Sequence, residues 1–239
     1  MTRRSKAFMV GVAALSLAAP AMAVTGGAFD GQAHPATGLL LADLGKGLEP
    51  DCSGSLVSPT VFVTAGHCTG GLASNRVAVS FASHYVAGTS TLVTGTAHTD
   101  PLWGAVKGDS HDLAVVVLDA PVTGVTPYAL PRAGLLDTKD IRSQSFTNVG
   151  YGYDDRTFTF DGYRRWSTSV FTTLKATELQ LSDNPGGVCF GDSGGPRLLG
   201  NVEVAITSTG NANCTGQSTS YRLDTASART FLSAFVAIP

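Results

Sequence analysis

The chain has 239 residues, a formal net charge of −2, 43% hydrophobic residues and only 14% charged ones. That composition belongs to a compact globule and excludes long disordered tails. Mild acidity without clustered Lys or Arg excludes nucleic acid as a partner.

Arg3, Arg4 and Lys6 come first, followed by an uncharged apolar run over about residues 7–19. Pro20 breaks the run, and Ala21-Met22-Ala23 supplies a small-x-small cleavage site. This is the layout of a secretory signal peptide over residues 1–23, and the run is short of the ~20 apolar residues that a spanning helix needs. The reading places the mature protein in a periplasm or secreted outside the cell, free of the membrane after cleavage. Losing the three cationic side chains moves the net charge from −2 to −5 and leaves a chain that starts Val24-Thr25-Gly26-Gly27.

From residue 24 onward, short runs rich in Val, Thr, Phe and Leu recur at 38–44, 55–63, 77–81, 113–118, 145–149, 167–174 and 202–208. Clusters of Gly, Pro, Asn and Asp separate them, so they read as strands joined by turns. Residues 120–137, with Pro121, Pro127 and Pro131, form the best linker between two halves. Near the end Phe231, Leu232, Phe235 and Val236 recur at helical spacing, which predicts a helix over 225–236. Many strands and one closing helix make an all-β domain, built as barrels or as a sandwich.

The four cysteines, Cys52, Cys68, Cys189 and Cys214, all follow the signal segment. An even count in an exported chain predicts two disulfides, with three pairings open. Pairing neighbours in sequence, Cys52 with Cys68 and Cys189 with Cys214, would close two local loops. Zinc is disfavoured, because no C-x-x-C pair occurs and the adjacent His67 and Cys68 would point apart on an extended chain. No metal and no cofactor is predicted.

Three segments carry chemistry: Val63-Thr64-Ala65-Gly66-His67-Cys68, then His111-Asp112-Leu113-Ala114, then Cys189-Phe190-Gly191-Asp192-Ser193-Gly194-Gly195-Pro196. A serine hydroxyl is a weak nucleophile that needs a base, and the base needs an orienting carboxylate. Cys52-Ser53-Gly54-Ser55-Leu56 running into His67-Cys68, Asp112-Leu113-Ala114-Val115, and Gly191-Asp192-Ser193-Gly194-Gly195-Pro196 resemble the histidine, aspartate and serine segments of the trypsin/chymotrypsin family of serine proteases. They stand in that family's chain order.

The resemblance implies two six-stranded antiparallel β-barrels with a C-terminal helix, the first over about residues 24–125 and the second over about 126–239, with the active site between them. It implies that His67 is the base, Asp112 its orienting partner and Ser193 the nucleophile. The backbone N–H groups of Gly191 and Ser193 would form the oxyanion hole. Asp192 would pair with the amine of Val24, which signal cleavage itself would create. The residues around the cut bond would meet Gly187 and Val188 at the pocket base and Ser208, Thr209 and Gly210 along its edge. No carboxylate stands at Gly187, so the expectation is a neutral, apolar or aromatic residue before the cut bond; Asp183 could still reach the pocket through an unusual loop. Thr209 replaces a tryptophan usual in the family, and a third disulfide common there is absent.

The function so implied is a secreted serine endopeptidase acting on a protein or peptide substrate through an acyl-enzyme, as a monomer, with proteinaceous inhibitors as further partners. The alternative is a catalytically silent protease-like binding module, against which the intact triad argues. A lipase or esterase would need its serine before its aspartate and histidine, opposite to the order here.

Overall fold

The computed structural model describes residues 24, 26–153, 157, 159–184 and 186–239, so the signal-peptide reading of residues 1–23 lies outside the described residues. Beyond the short β1 (Ala28–Phe29), the strand-forming runs of the first half give β2 (Thr37–Asp43), β3 (Leu48–Ser58), β4 (Val61–Thr64), β5 (Arg76–Ser80), β6 (Val93–Thr99) and β7 (Ala114–Leu118). These close into a barrel in the order β2-β3-β4-β7-β6-β5. The apolar run at 55–63 is therefore two strands rather than one. Ser58-Pro59-Thr60-Val61 turns the chain, and Ser58 pairs back onto Val61. Proline has no N–H for a ladder, so it marks the corner.

The second half supplies β8 (Ser145–Gly150), β9 (Arg165–Leu174), β10 (Glu178–Ser182), β11 (Pro196–Leu199), β12 (Val202–Thr209) and β13 (Gln217–Arg222). They run β9-β10-β13-β12-β11-β8, and pairing of β8 with β9 closes the second barrel, while β1 adds to the outer edge of β9. The chain is thus all-β, with two six-stranded antiparallel barrels. The helix α1 (Ala226–Leu232) follows, capped by the Thr225 side chain. It is shorter than the apolar spacing predicts: Phe235 and Val236 donate back to the carbonyl of Leu232 in a terminal turn. There Phe235 packs against His98 and Phe231 rather than continuing the helix.

Leu40, Leu56, Phe62, Val77, Val79 and Val115 fill the first barrel and belong to one apolar cluster with Val149, Leu198, Ile206 and Tyr221 of the second. Burying a side chain such as Phe62 contributes about 1.5–3 kcal/mol, and continuity of the cluster fixes one barrel on the other. Polar links cross the same seam. Arg164, fully buried, donates to Asp30 (2.7 Å) and to the carbonyls of Gly31, Thr37 and Phe81. Ser55 of β3 hydrogen-bonds Glu203 of β12. No helix among the described residues is long and apolar enough to cross a membrane. The rigid seam matters because the candidate site draws residues from both barrels.

Candidate active site

The first barrel presents His67 and Asp112. His67 sits in a 3-10 turn, Gly66–Cys68, that leaves the end of β4, and the Cys52–Cys68 disulfide ties this turn to β3. Asp112 lies just before β7, which pairs with β4, so the two side chains meet across neighbouring strands. His67 Nδ1 is 2.9 Å from Asp112 Oδ2 and 3.1 Å from Oδ1, and the His67 backbone N–H donates to Oδ1 at 2.9 Å. Ser208 of the second barrel adds its hydroxyl as a further donor to Oδ2. Burial acts to raise the pKa of Asp112, but the hydrogen bonds and charge of His67 and the bond from Ser208 outweigh it, so the carboxyl stays below its ordinary value. A fixed carboxylate on Nδ1 leaves Nε2 as the ring nitrogen free to take a proton.

Next to Asp112, His111 is buried. It adopts a φ of +47°, and its Nδ1 lies 3.0 Å from Asp100. A histidine in the left-handed region is strained, and Asp100 and Asp109 bracket its ring. The carbonyl of His111 then accepts from the N–H of Leu113, forming a tight turn around Asp112.

The second barrel presents Ser193 in the loop before β11. Gly191 and Gly194 have φ of +88° and +76°, conformations that a side chain disfavours. A Cβ on Gly194 would fall 2.1 Å from Thr64 Oγ1, so the loop lies directly on the first barrel. Ser53 fastens it: its N–H donates to the Ser193 carbonyl (2.9 Å), and its hydroxyl donates to the Gly191 carbonyl (2.8 Å) while accepting from the N–H of Tyr151 (2.9 Å). Ser193 and His67 line one cavity of about 440 Å³ together with Asp51, Tyr153, Phe190 and Gly191. Among the described residues His67 hydrogen-bonds only Asp112, and its contact to Ser193 is open, as such contacts often are before substrate binds.

Asp192 turns inward. Its oxygens accept from the N–H groups of Gly152 and Cys189, both at 2.8 Å. Burial pushes its pKa up to about 6 despite these bonds and the charges of Arg197 and Arg165. Val24 is fully buried with a φ of +57°, and in the full-length chain its nitrogen is an uncharged peptide nitrogen. Thr25 lies outside the described residues.

A second cavity of about 240 Å³ opens beside Ser193, lined by Val188, Cys189, Phe190 and the end of β12 from Thr207 through Ser208, Thr209 and Gly210 to Asn211. The Cys189–Cys214 disulfide joins its two walls. Gly187 does not line this cavity; the Asp183 side chain takes the place of the Cβ that Gly187 lacks. With both disulfides formed, the close grouping of Cys52, His67 and Cys68 offers no free thiolate to a metal. Ser53, Asp51, Tyr153 and Phe190 were not among the residues expected from the sequence. Ser53 and Asp51, on either side of Cys52, and Phe190, inside the serine segment, had a positional cue; Tyr153 had none.

Comparisons with known proteins agree with this geometry. The family model described as Trypsin matches residues 30–230. A chymotrypsin from Phaedon cochleariae is 29% identical over 179 residues, covering 68% of this chain and 64% of that protein. Glucanase inhibitor protein 4 from Phytophthora infestans is 29% identical over 161 residues, covering 62% and 61%. The chain thus spans less than two thirds of the length of both relatives. A solved structure described as HL collagenase superposes with a TM-score of 0.71 at 18% identity, covering 89% of this chain and 98% of that one, and shares its fold. With most of its length matched and two six-stranded barrels closed around the cleft, the chain belongs to the Trypsin family.

Proposed function

We propose that this chain is an exported serine endopeptidase, secreted or periplasmic, that hydrolyses protein or peptide substrates through an acyl-enzyme. The observation that carries the reading is the His67–Asp112–Ser208 hydrogen-bonded set facing Ser193 across one cleft. His67 Nε2 takes the Ser193 proton as Oγ attacks the substrate carbonyl, and returns it to the leaving amine. Asp112 holds the imidazole and stabilises its charged form. The N–H groups of Gly191 and Ser193 receive the oxyanion, and losing one such donor typically costs ~10²–10³ in rate. Substrate backbone adds as a strand along Ser208, Thr209 and Gly210, and its side chain enters the cavity bordered by Val188. Gly187, next in sequence, leaves room for the Asp183 side chain.

Export cleaves residues 1–23, and the new ammonium of Val24 pairs with Asp192 to hold the Ser193 loop in its working form. The mature unit, residues 24–239, then works as a monomer without a cofactor, with its two barrels over about 24–125 and 126–239. Two disulfides fit an oxidising compartment. Digestion of a denatured protein by mature chain starting at Val24 tests the reading. Turnover abolished by Ser193→Ala supports it; equal turnover by that variant overturns it.

A second reading has one observation in its favour: a relative named as a glucanase inhibitor matches 62% of this chain. On that reading the fold is a silent binding module. Stable complex formation with a partner protein, together with inert Ser193, would favour it.

A further inference from the structure

The cavity beside Ser193 ends sooner than its glycine-lined entrance suggests. Val188 Cγ2 lies 3.9 Å from the place where a Cβ on Gly210 would stand. A carbon–carbon bond adds about 1.5 Å, so Gly210 Cα and Val188 Cγ2 are at most about 5.4 Å apart. Carbons in contact sit about 3.5–4.0 Å apart, so a methylene or a ring passing between two walls needs about 7 Å. A substrate side chain does not pass between Val188 Cγ2 and Gly210, which makes Val188 the floor in this reading.

At Gly187, next in sequence to that floor, stands a carboxylate. A Cβ on Gly187 would fall 2.2 Å from Asp183 Cβ and 2.3 Å from its Cγ and Oδ1, so Asp183 fills the space of the side chain that Gly187 lacks. Asp183 is only 3% exposed; Oδ1 accepts from the Ser218 hydroxyl at 2.7 Å, and Oδ2 is buried without a hydrogen-bond partner. Burial holds its pKa above the ordinary value, against the Ser218 bond, the Arg197 charge and the Val188 backbone N–H. Arg197 sends its N–H groups to Asn148, Ser218 and Ser220; it is linked to Asp183 by hydrogen bonds only through the Ser218 hydroxyl, while its charge also favours the carboxylate directly.

We propose that Val188 restricts the residue before the cut bond to aliphatic side chains up to about leucine size, and that Asp183 is a latent anionic base which Val188 screens from substrate. An aromatic ring meets the floor too early. A guanidinium would be stripped of water against valine methyls with no partner, which is costly. Shortening Val188 joins the cavity to the open acceptor on Asp183, where a cationic side chain finds a charge-assisted hydrogen bond. The inference rests on the peptidase reading above and narrows its neutral-residue expectation from apolar or aromatic to aliphatic.

Four peptide p-nitroanilides that differ only in Val, Leu, Phe or Arg before the cut bond test it on the mature chain. The wild type is expected to favour Val and Leu over Phe by about tenfold or more in kcat/KM, and over Arg by about a hundredfold. In Val188→Gly, or in Val188→Ser should that glycine variant misfold, kcat/KM for Arg rises about tenfold or more. Adding Asp183→Asn removes the gain for Arg and leaves kcat/KM for Phe as it is in the single variant. Equal cleavage after Leu, Phe and Arg by the wild type overturns the proposal, as does an Arg gain that survives Asp183→Asn. Fluorescence titration with p-aminobenzamidine reads the same pocket without turnover: tighter binding to Val188→Gly than to wild type, lost again with Asp183→Asn, is the expected pattern. If that pattern holds while the wild type hydrolyses none of the substrates, the pocket inference stands and the peptidase reading falls.

Discussion

Ser53 places one hydroxyl between two backbone groups of the second barrel, the Gly191 carbonyl and the Tyr151 N–H, and is itself completely buried. It thereby fixes the peptide next to the proposed oxyanion hole from the first barrel's side. Ser53→Ala leaves both groups unpaired, which costs about 1–3 kcal/mol of stability. One lost positioning bond of ~1.4 kcal/mol corresponds to about a tenfold fall in kcat, with KM changed less than about twofold. Steady-state kinetics checks this, and affinity for a peptide aldehyde should fall in step with kcat/KM. Asp192 makes a second prediction at this scale. In the uncut chain its pKa is raised by burial from 3.8 to about 6, so the folded state favours the protonated carboxyl. The stability it contributes is complete below the unfolded value and is lost as pH rises through about 6. In the chain starting at Val24 the new ammonium favours the carboxylate instead, and this loss disappears. Melting temperatures of Ser193→Ala precursor and mature chain between pH 4 and 7 compare the two; parallel pH dependences would sink the ion pair.

At the scale of elements, the short helix α1 gains its first turn from Thr225, whose Oγ1 accepts from the Ala228 N–H at 3.3 Å. Thr225→Ala is expected to lower unfolding free energy by about 1 kcal/mol in urea, with activity unchanged because α1 lies outside the cleft. The strands that the sequence made legible are the aliphatic ones, such as β2, β5, β7 and β12. Those it hid are β1, β6, β10, β11 and β13, and for β13 the reason is physical. The second barrel buries a polar hub, Arg197, against Asn148, Ser218 and Ser220, so inward positions on β13 are serines rather than valines. An apolar alternation cannot reveal a strand whose buried face is hydroxylic. The proposed triad positions, His67, Asp112 and Ser193, stand out in the sequence because such chemistry demands fixed residue types in fixed order. The role of Ser53 was not legible, because its partners Tyr151 and Gly191 stand in the other barrel; Val188 was expected at the pocket base, but its close approach to Gly210 was not.

For the whole molecule, the barrel seam carries a charge problem of its own. Glu203 on β12 is fully buried; among the described residues its carboxyl hydrogen-bonds only Ser55 on β3, and its Oε1 has no partner. Burial raises its pKa from 4.5 to about 8, against the lowering effect of the Ser55 bond. It therefore crosses the seam as a neutral acid at pH 7. Its contribution to stability is complete below about pH 4.5 and is lost as pH rises through about 8. Glu203→Gln keeps the shape without the charge, so urea unfolding of this variant should show a flatter decline between pH 6 and 9 than the wild type; equal declines would contradict the assignment. The seam serves one purpose in this account, which is to hold His67 and Asp112 of one barrel opposite Ser193 of the other. The most direct test is labelling of the mature chain, residues 24–239, with a fluorophosphonate that reacts only with an activated serine. The account predicts one adduct per chain, mapped by peptide mass spectrometry to Ser193 and lost in His67→Ala. A folded chain that takes up no label, or takes it up equally without His67, would contradict it.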